Sequence, residues 1–255
     1  MTFWQTIGNF LNTVTDKFGY MSKFMNEGGA LNITFVCLAF LLIIVCAYLL
    51  GSINFAIIIS GKKYKEDIRS HGSKNAGMTN MMRTYGKKAA VLTLVGDALK
   101  AVVACLVGYL IMGEFGAYAA GLFCVIGHVF PLYYGFRGGK GVVTAAATVL
   151  MTEPLTFLIL LVLFIIMVAI WRYISLASIT CIALYPLILG VVSKFISLLA
   201  NDFAEISVGI PFTVLMAILI IAKHWTNIQR LRNGTESKFS FKKSVKSTSE
   251  TKEEK

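Results

Sequence analysis

The sequence predicts an all-α, polytopic integral membrane protein: a helical bundle of about seven hydrophobic helices, five of them full spans in the leaner count and the rest partial. Three observations carry this. The 255 residues are 56% hydrophobic, with a mean hydropathy of +0.72. Only 15% are charged, well below the quarter usual in soluble domains. The apolar residues are gathered into runs, several of which approach the ~20 residues needed to cross a hydrocarbon core.

The elements follow in order. Phe3, Trp4, Ile7, Phe10, Leu11, Val14 and Phe18 recur at helical spacing with polar residues between them. That is the pattern of a helix lying in the membrane interface, so residues 1–30 are set apart as an amphipathic N-terminal segment. No compact apolar stretch with a cleavage site precedes it, and a signal peptide is not expected. Apolar runs then occupy about 31–60, 90–112, 116–134, 142–151, 154–171, 174–193 and 208–222. The run at 142–151 is too short for a straight span and is expected to be re-entrant, or one part of an element broken at Pro154. Residues 31–236 form the membrane domain. From Ser237 to Lys255 the chain is Lys, Ser, Thr and Glu without apolar periodicity, and reads as a disordered basic tail. Cys37, Cys46, Cys105, Cys124 and Cys181 lie in apolar runs with no CxxC pair and read as small buried hydrophobes.

Charge sets the orientation. With residue 30 outside and the elements alternating, 20 of the 24 Lys and Arg fall inside, and only Lys17, Lys23 and Lys194 outside. The N-terminus is therefore placed outside and the C-terminus in the cytoplasm. The net charge of +11 reflects this bias, so no nucleic acid is expected as a partner. Asp97 and Lys100 stand inside the membrane at i, i+3, where a charge is costly unless paired; they are expected to form a structural ion pair.

Three polar segments fall on the cytoplasmic face. The first, Gly72-Ser73-Lys74-Asn75-Ala76-Gly77-Met78-Thr79-Asn80 with Arg83, combines glycines for close backbone approach, donors, and a planar guanidinium at the start of a helix. That is the composition of an anion site. The second, Arg137-Gly138-Gly139-Lys140-Gly141 with Thr144, is a glycine-flanked lysine. It lacks the spacing of a nucleotide-binding P-loop. His128 just upstream reads as a structural histidine in preference to a catalyst. The third carries His224, Asn227 and Arg230 on one helical face and then Gly234-Thr235-Glu236, whose acid is expected to pin Arg230 or Arg232. His71, His128 and His224 stand in separate segments, no HExxH or carboxylate cluster occurs, and no Gly-x-Ser-x-Gly elbow is present. Neither a metal, nor a cofactor, nor covalent serine catalysis is expected.

Together these segments resemble the bacterial acyl-phosphate:glycerol-3-phosphate acyltransferases of the PlsY type. Gly72, Ser73, Asn75, Gly77, Thr79, Asn80 and Arg83 match the family pattern GSxNxGxTNxxR. Gly127, His128, Phe130, Pro131, Phe136, Gly138 to Val142 and Thr144 match GHxFPxxxxFxGGKGVxT, and His224, Asn227, Ile228, Arg230, Leu231 and Gly234 to Glu236 match HxxNIxRLxxGTE. Asp97 and Lys100 match a usual Asp-x-x-Lys. The chain departs from the family where Lys74 replaces a usual Gly, Met78 a usual Ala and Asn54 a usual Pro. No departure removes a matched donor.

The resemblance implies transfer of a fatty acyl group from acyl-phosphate to the primary hydroxyl of glycerol 3-phosphate at the bacterial plasma membrane, giving lysophosphatidic acid and phosphate. Both substrates carry a phosphate and the donor tail belongs in lipid, as the polar segments require. On this reading Ser73, Arg83, Lys140, His224 and Asn227 are catalytic. Gly72, Asn75, Gly77, Thr79, Asn80, Gly138, Gly139, Gly141, Thr144 and Arg230 bind substrate, while Asp97, Lys100 and Glu236 are structural. The partners are the two substrates and membrane lipid. The competing readings are an organophosphate transporter, which would place its site nearer the midplane between repeats, and a non-catalytic anchor.

Overall fold

The computed structural model of the chain describes residues 30–199 and 208–239. Most of the amphipathic N-terminal segment, the placement of the N-terminus, and the tail beyond residue 239 lie outside the described residues.

Helix α1 (Ala30–Ser52) is the first span. The run expected to continue to residue 60 breaks at Ile53-Asn54. Asn54 accepts from the Ile57 amide and caps a short helix α2 (Phe55–Ile59), which runs on as a π turn over Ser60–Tyr64. A break in a membrane helix frees carbonyls that need partners. Those of Gly51 and Ile53 accept from the Lys100 ammonium, at 2.9 and 2.6 Å. Lys100 also lies 3.0 Å from Asp97 Oδ1 and 2.9 Å from His128 Nδ1. The buried charges thus close a helix break as well as pairing with each other.

Helix α3 (Met78–Tyr85) follows at the same end of the bundle. The next helical stretch, Lys87–Val129, has 43 residues but loses helical backbone at Met112 and Gly113. A continuous helix would be ~65 Å long, twice a hydrocarbon core. It is instead a hairpin of α4 (87–111) and α5 (114–129). A methyl on Gly108 would strike the Gly116 backbone, and one on Gly116 the Gly108 backbone. In a straight helix those residues would stand ~12 Å apart.

Helix α6 (Val142–Thr152) leaves the loop after α5 and runs back beside it. Glu153 breaks the helical backbone and bonds Tyr118, well away from the α5 C-terminus. Helix α7 (Pro154–Trp171) then returns, because Arg172 at its end meets Phe239 beside the polar loops. The short run is therefore the first arm of a hairpin that turns at Glu153, and the chain does not continue past Pro154 in the same direction. Its 11 residues reach only ~16 Å, and Thr144, Ala145, Ala147, Thr148, Val149, Met151 and Thr152 are buried. Helices α8 (Ile174–Leu199), α9 (Ile210–Lys223) and α10 (Trp225–Arg232) complete the chain, with α9 and α10 bent by 57° at His224.

Small residues let the first helices approach closely, as expected where lipid offers no hydrophobic drive. Gly51 packs on the Cys124 backbone and Gly127 on that of Tyr48. Ala47, Ala101, Ala104, Ala119 and Ala120 fill the interior beside them. A second core joins Val125, Val129, Val149, Tyr185, Leu189, Met216 and Ile220 of α5, α6, α8 and α9. The side chains left outside, such as Leu158, Ile165, Leu187 and Ile218, are apolar and suit contact with lipid. Cys105 and Cys124 are buried as expected; Cys37 and Cys46 are exposed on α1, and Cys181 is half-buried.

Candidate active site

All three polar segments meet at one end of the bundle. The first is folded by Asn80, on α3. Its Oδ1 accepts from the Ser73 amide at 2.9 Å, and its Nδ2 donates to the carbonyls of Ile68, His71 and Asn75 at 3.2, 3.0 and 3.0 Å. Asn80, expected to bind substrate, is buried, and both polar atoms of its side chain bond the backbone of the loop. Gly72 adopts φ +55° against that amide. The result carries Ser73 exposed, Asn75, Gly77 and Thr79 half-buried, and Arg83 exposed on α3.

The second segment docks on the first and on the end of α5. The Gly138 amide donates to Val129 at 3.3 Å and the Gly139 amide to His128 at 3.1 Å. A methyl on Gly139 would strike His128 Nε2 and lie 2.6 Å from the Ala76 carbonyl oxygen. Gly138 and Gly139, expected to make room for substrate, make room here for His128 and for the first loop. Gly141, at φ +80°, starts α6 against Val125 and Val129. Thr144 is wholly buried in the first turn of α6, and its Oγ1 has no protein partner. It is an enclosed hydroxyl, not one presented at the surface.

The third segment folds back on itself. Gly234 at φ +68° ends α10 in a Schellman turn, with Thr235 N donating to Arg230 O at 2.8 Å and Gly234 N to Leu231 O at 3.2 Å. This returns Glu236 to the helix. Its Oε2 accepts from Arg230 Nε at 2.7 Å, and its Oε1 from Asn227 Nδ2 and Ser175 Oγ, each at 2.7 Å. Burial pushes the Glu236 carboxyl up, but these three hydrogen bonds hold it below the ordinary carboxylate value. Asn227 Oδ1 in turn accepts from Lys140 Nζ. His224 is 2% exposed, with Nδ1 2.8 Å from the Ile220 carbonyl. A carbonyl only accepts, so Nδ1 carries the proton, and Nε2 of the neutral ring is an acceptor.

The segments close a triangle. Arg69, in the turn just ahead of the first, donates to the Tyr134 carbonyl and to that of Arg137 in the second, at 2.8 and 3.1 Å, while chelating Asp67. Lys140 links second to third, and Arg83 reaches the Ser237 carbonyl of the third at 3.4 Å. Lys140 is half-buried; burial pushes its ammonium down to about 8, with Arg230 and Arg83 adding to the fall and Glu236 opposing it. Three cations and one fixed carboxylate thus share one end of the bundle, an arrangement suited to phosphate. Among the described residues no three His, Cys, Asp or Glu side chains gather to hold a metal.

Sequence reasoning missed Arg69, Asn54, Ser175 and Arg172. Asn54 donates to the Ala76 carbonyl at 3.3 Å, so a residue standing where relatives carry proline became a tie to the first loop. The tail expected to be disordered from residue 237 is fixed as far as Phe239, whose amide donates to Arg172 O at 2.6 Å.

The glycerol-3-phosphate acyltransferase family pattern matches residues 41–234. Over 195 residues the chain is 41% identical to the glycerol-3-phosphate acyltransferase of Finegoldia magna, covering 76% of this chain and 93% of that one. The Trichlorobacter lovleyi enzyme of the same name is 44% identical over 195 residues, 76% of this chain and 94% of that one. The crystal structure of PlsY, an integral membrane glycerol 3-phosphate acyltransferase, in its glycerol 3-phosphate form superposes with a TM-score of 0.69 at 34% identity, over 79% of this chain and 96% of that one. The chain belongs to the glycerol-3-phosphate acyltransferase family.

Proposed function

We propose that this acyltransferase moves a fatty acyl group from an acyl-phosphate to the primary hydroxyl of glycerol 3-phosphate, at the cytoplasmic face of a bacterial plasma membrane, as the first step of phospholipid synthesis. The observation that carries the reading is the junction of Arg83, Lys140 and Arg230 around Glu236. Both substrates bring phosphate to it, and the net positive charge of three cations and one acid offsets theirs. The charge bias supports the cytoplasmic placement: elements that alternate across the membrane assign 20 of the 24 Lys and Arg to the side of the polar segments.

The chemistry needs little from the protein beyond placement. An acyl-phosphate is a mixed anhydride. The glycerol hydroxyl oxygen attacks the acyl carbonyl carbon, the bond from that carbon to the phosphate oxygen breaks, and phosphate leaves with the electron pair. The hydroxyl proton passes to a phosphate oxygen or to His224 Nε2. Arg83 offers a planar fork to one phosphate and Lys140 a compact charge to another oxygen. Ser73, exposed at the loop rim, and the Met78 and Thr79 amides that open α3 supply donors where charge develops.

The test is a direct assay. The full chain, reconstituted in vesicles, receives acyl-phosphate and glycerol 3-phosphate, and both phosphate and lysophosphatidic acid are measured. Equal release of the two supports the reading. Saturable glycerol 3-phosphate uptake into the vesicles with no acylated product would replace it with the transporter.

A further inference from the structure

We propose that Ser175, in the first turn of α8, is a positioning residue for acyl transfer: its hydroxyl fixes the Glu236 carboxylate, which orients Asn227 toward Lys140. The inference rests on the function proposed above and adds a residue that lies outside all three polar segments.

A serine in the opening turns of a helix usually bonds its own helix, as Ser178 does with the Ile174 carbonyl at 2.8 Å. Ser175 instead crosses to Glu236, 61 residues away, with Oγ 2.7 Å from Oε1, and it is only 8% exposed. The same carboxylate oxygen accepts from Asn227 Nδ2 at 2.7 Å. That bond decides which way the Asn227 amide faces. With Nδ2 held by the acid, Oδ1 is turned to the Lys140 ammonium. Were the amide free to turn over, its NH2 would face the ammonium, donor against donor.

Arg230 holds the other carboxylate oxygen, but its side chain is 40% exposed, against 6% for Glu236. A solvated guanidinium is a loose tether. The buried hydroxyl on α8 is the rigid one, because it is fixed to a membrane span. The Arg172–Phe239 backbone bond and the Arg172 Nη2 to Phe239 O contact, at 2.6 and 3.3 Å, hold the returning chain to the turn between α7 and α8. The α7–α8 turn is thereby part of the site's frame, though it carries none of the matched motifs.

The charged and titratable groups facing Lys140 are Glu236 and Arg230 from the third segment, Arg83 from α3, and the His224 ring at the α9–α10 bend. Of these only Glu236 favours the protonated ammonium. If its carboxylate loosens, Lys140 deprotonates at lower pH. A purely structural serine would not move that limb.

The experiment compares Ser175→Ala and Ser175→Thr in the full chain, in vesicles, with pH profiles of acyl transfer. Ser175→Ala should lower kcat/KM for glycerol 3-phosphate about tenfold, as for a lost hydrogen bond to a charged group, and shift its alkaline limb to lower pH. Ser175→Thr, which keeps the hydroxyl, should restore both. In a Glu236→Gln background, Ser175→Ala should add almost nothing. Wild-type constants and an unmoved limb in Ser175→Ala would overturn the inference, as would full additivity with Glu236→Gln. Should Ser175→Ala fail to fold, Ser175→Thr decides: wild-type kinetics support the inference, and loss of transfer in a folded Thr variant overturns it. An inactive wild-type chain would instead refute the proposed function, so the two failures are distinct.

Discussion

Replacing Gly139 with alanine separates two uses of the glycine-rich second loop. With Gly139 in the substrate-binding role that the family resemblance implies, a methyl there would block phosphate and so raise KM for glycerol 3-phosphate. The structure puts the methyl elsewhere: against His128 Nε2, 3.0 Å from His128 Cε1 and 2.6 Å from the Ala76 carbonyl oxygen. Ordinary contact begins near ~3.5 Å, so the shortfall toward Ala76 is about 1 Å. Neither neighbour can yield easily. His128 is 4% exposed with Nδ1 2.9 Å from Lys100, and the Ala76 carbonyl is held by Asn54. The loop must lift, and Lys140 moves with it relative to Ser73 and Arg83. Overpacking of this kind costs ~1–3 kcal/mol of stability, and a misplacement of about 1 Å costs about 100-fold in rate. We expect Gly139→Ala to lower Tm and to reduce kcat about 100-fold, with a smaller change in KM. Gly135→Ala is the control. Gly135 lies in the same loop at φ +65° with no atom near its missing methyl, so alanine should cost ~1 kcal/mol of stability and leave kcat within about twofold. A Gly139→Ala enzyme with wild-type kcat and only a raised KM would refute the packing argument.

Three further outcomes are expected. Lys74 holds φ +58° where the family usually carries glycine, so Lys74→Gly should stabilise the protein by about 0.5–1 kcal/mol in thermal unfolding and leave turnover intact; a lower Tm would show that the Lys74 side chain contributes more than its backbone costs. Burial pushes Lys140 down to about 8, so its phosphate-binding cation is present below that pH and lost above it. The profile of kcat/KM for glycerol 3-phosphate should therefore fall above about pH 8 in the wild type and stay level in any active Lys140→Arg variant, since arginine does not titrate there; an unchanged limb in the variant would assign it to another group. His224→Gln should keep measurable turnover and His224→Ala less, because substrate oxygens can take the hydroxyl proton; complete loss in a folded His224→Gln that still binds both substrates would make His224 an obligatory base.

Much of the architecture was legible because hydropathy and charge act through the bilayer itself. Run length reported the helices, and lysine asymmetry predicted that all three polar segments share one face. Both hairpin apices fall where the apolar runs stop: α4 turns into α5 at Met112-Gly113 beside Glu114, and α6 into α7 at Glu153-Pro154. What the runs hid was the break inside the first of them, at Ile53-Asn54. Two residues off the helical backbone, one of them apolar, are too few to interrupt a hydropathy pattern. In the site, residue types announced phosphate but could not separate residues aimed at a ligand from those aimed at one another. Asn80, Gly138 and Gly139 have the composition of a binding loop and are used to build one. Ser175 and Arg69 carry no local pattern that points to the site, since the bonds that tie them to it reach 61 and 65 residues away.

The three segments also explain how loops at a membrane surface hold a site without a globular domain beneath them. Each is short, polar and tied chiefly to the other two: Arg69 and Gly139 join first to second, Lys140 and Asn227 second to third, Arg83 and Ser237 third to first. A closed triangle fixes what any two sides would leave free to hinge. Two sides are anchored in the membrane, through His128 and Lys100 beneath the second loop and through Ser175 on α8 beneath the third. The buried ion pair, which costs desolvation without adding much stability, therefore has a use that pairing alone does not explain. It holds the α1 break and His128 in register, and Gly139 rests on His128. Loss of either anchor should be felt at Lys140, the corner that both share.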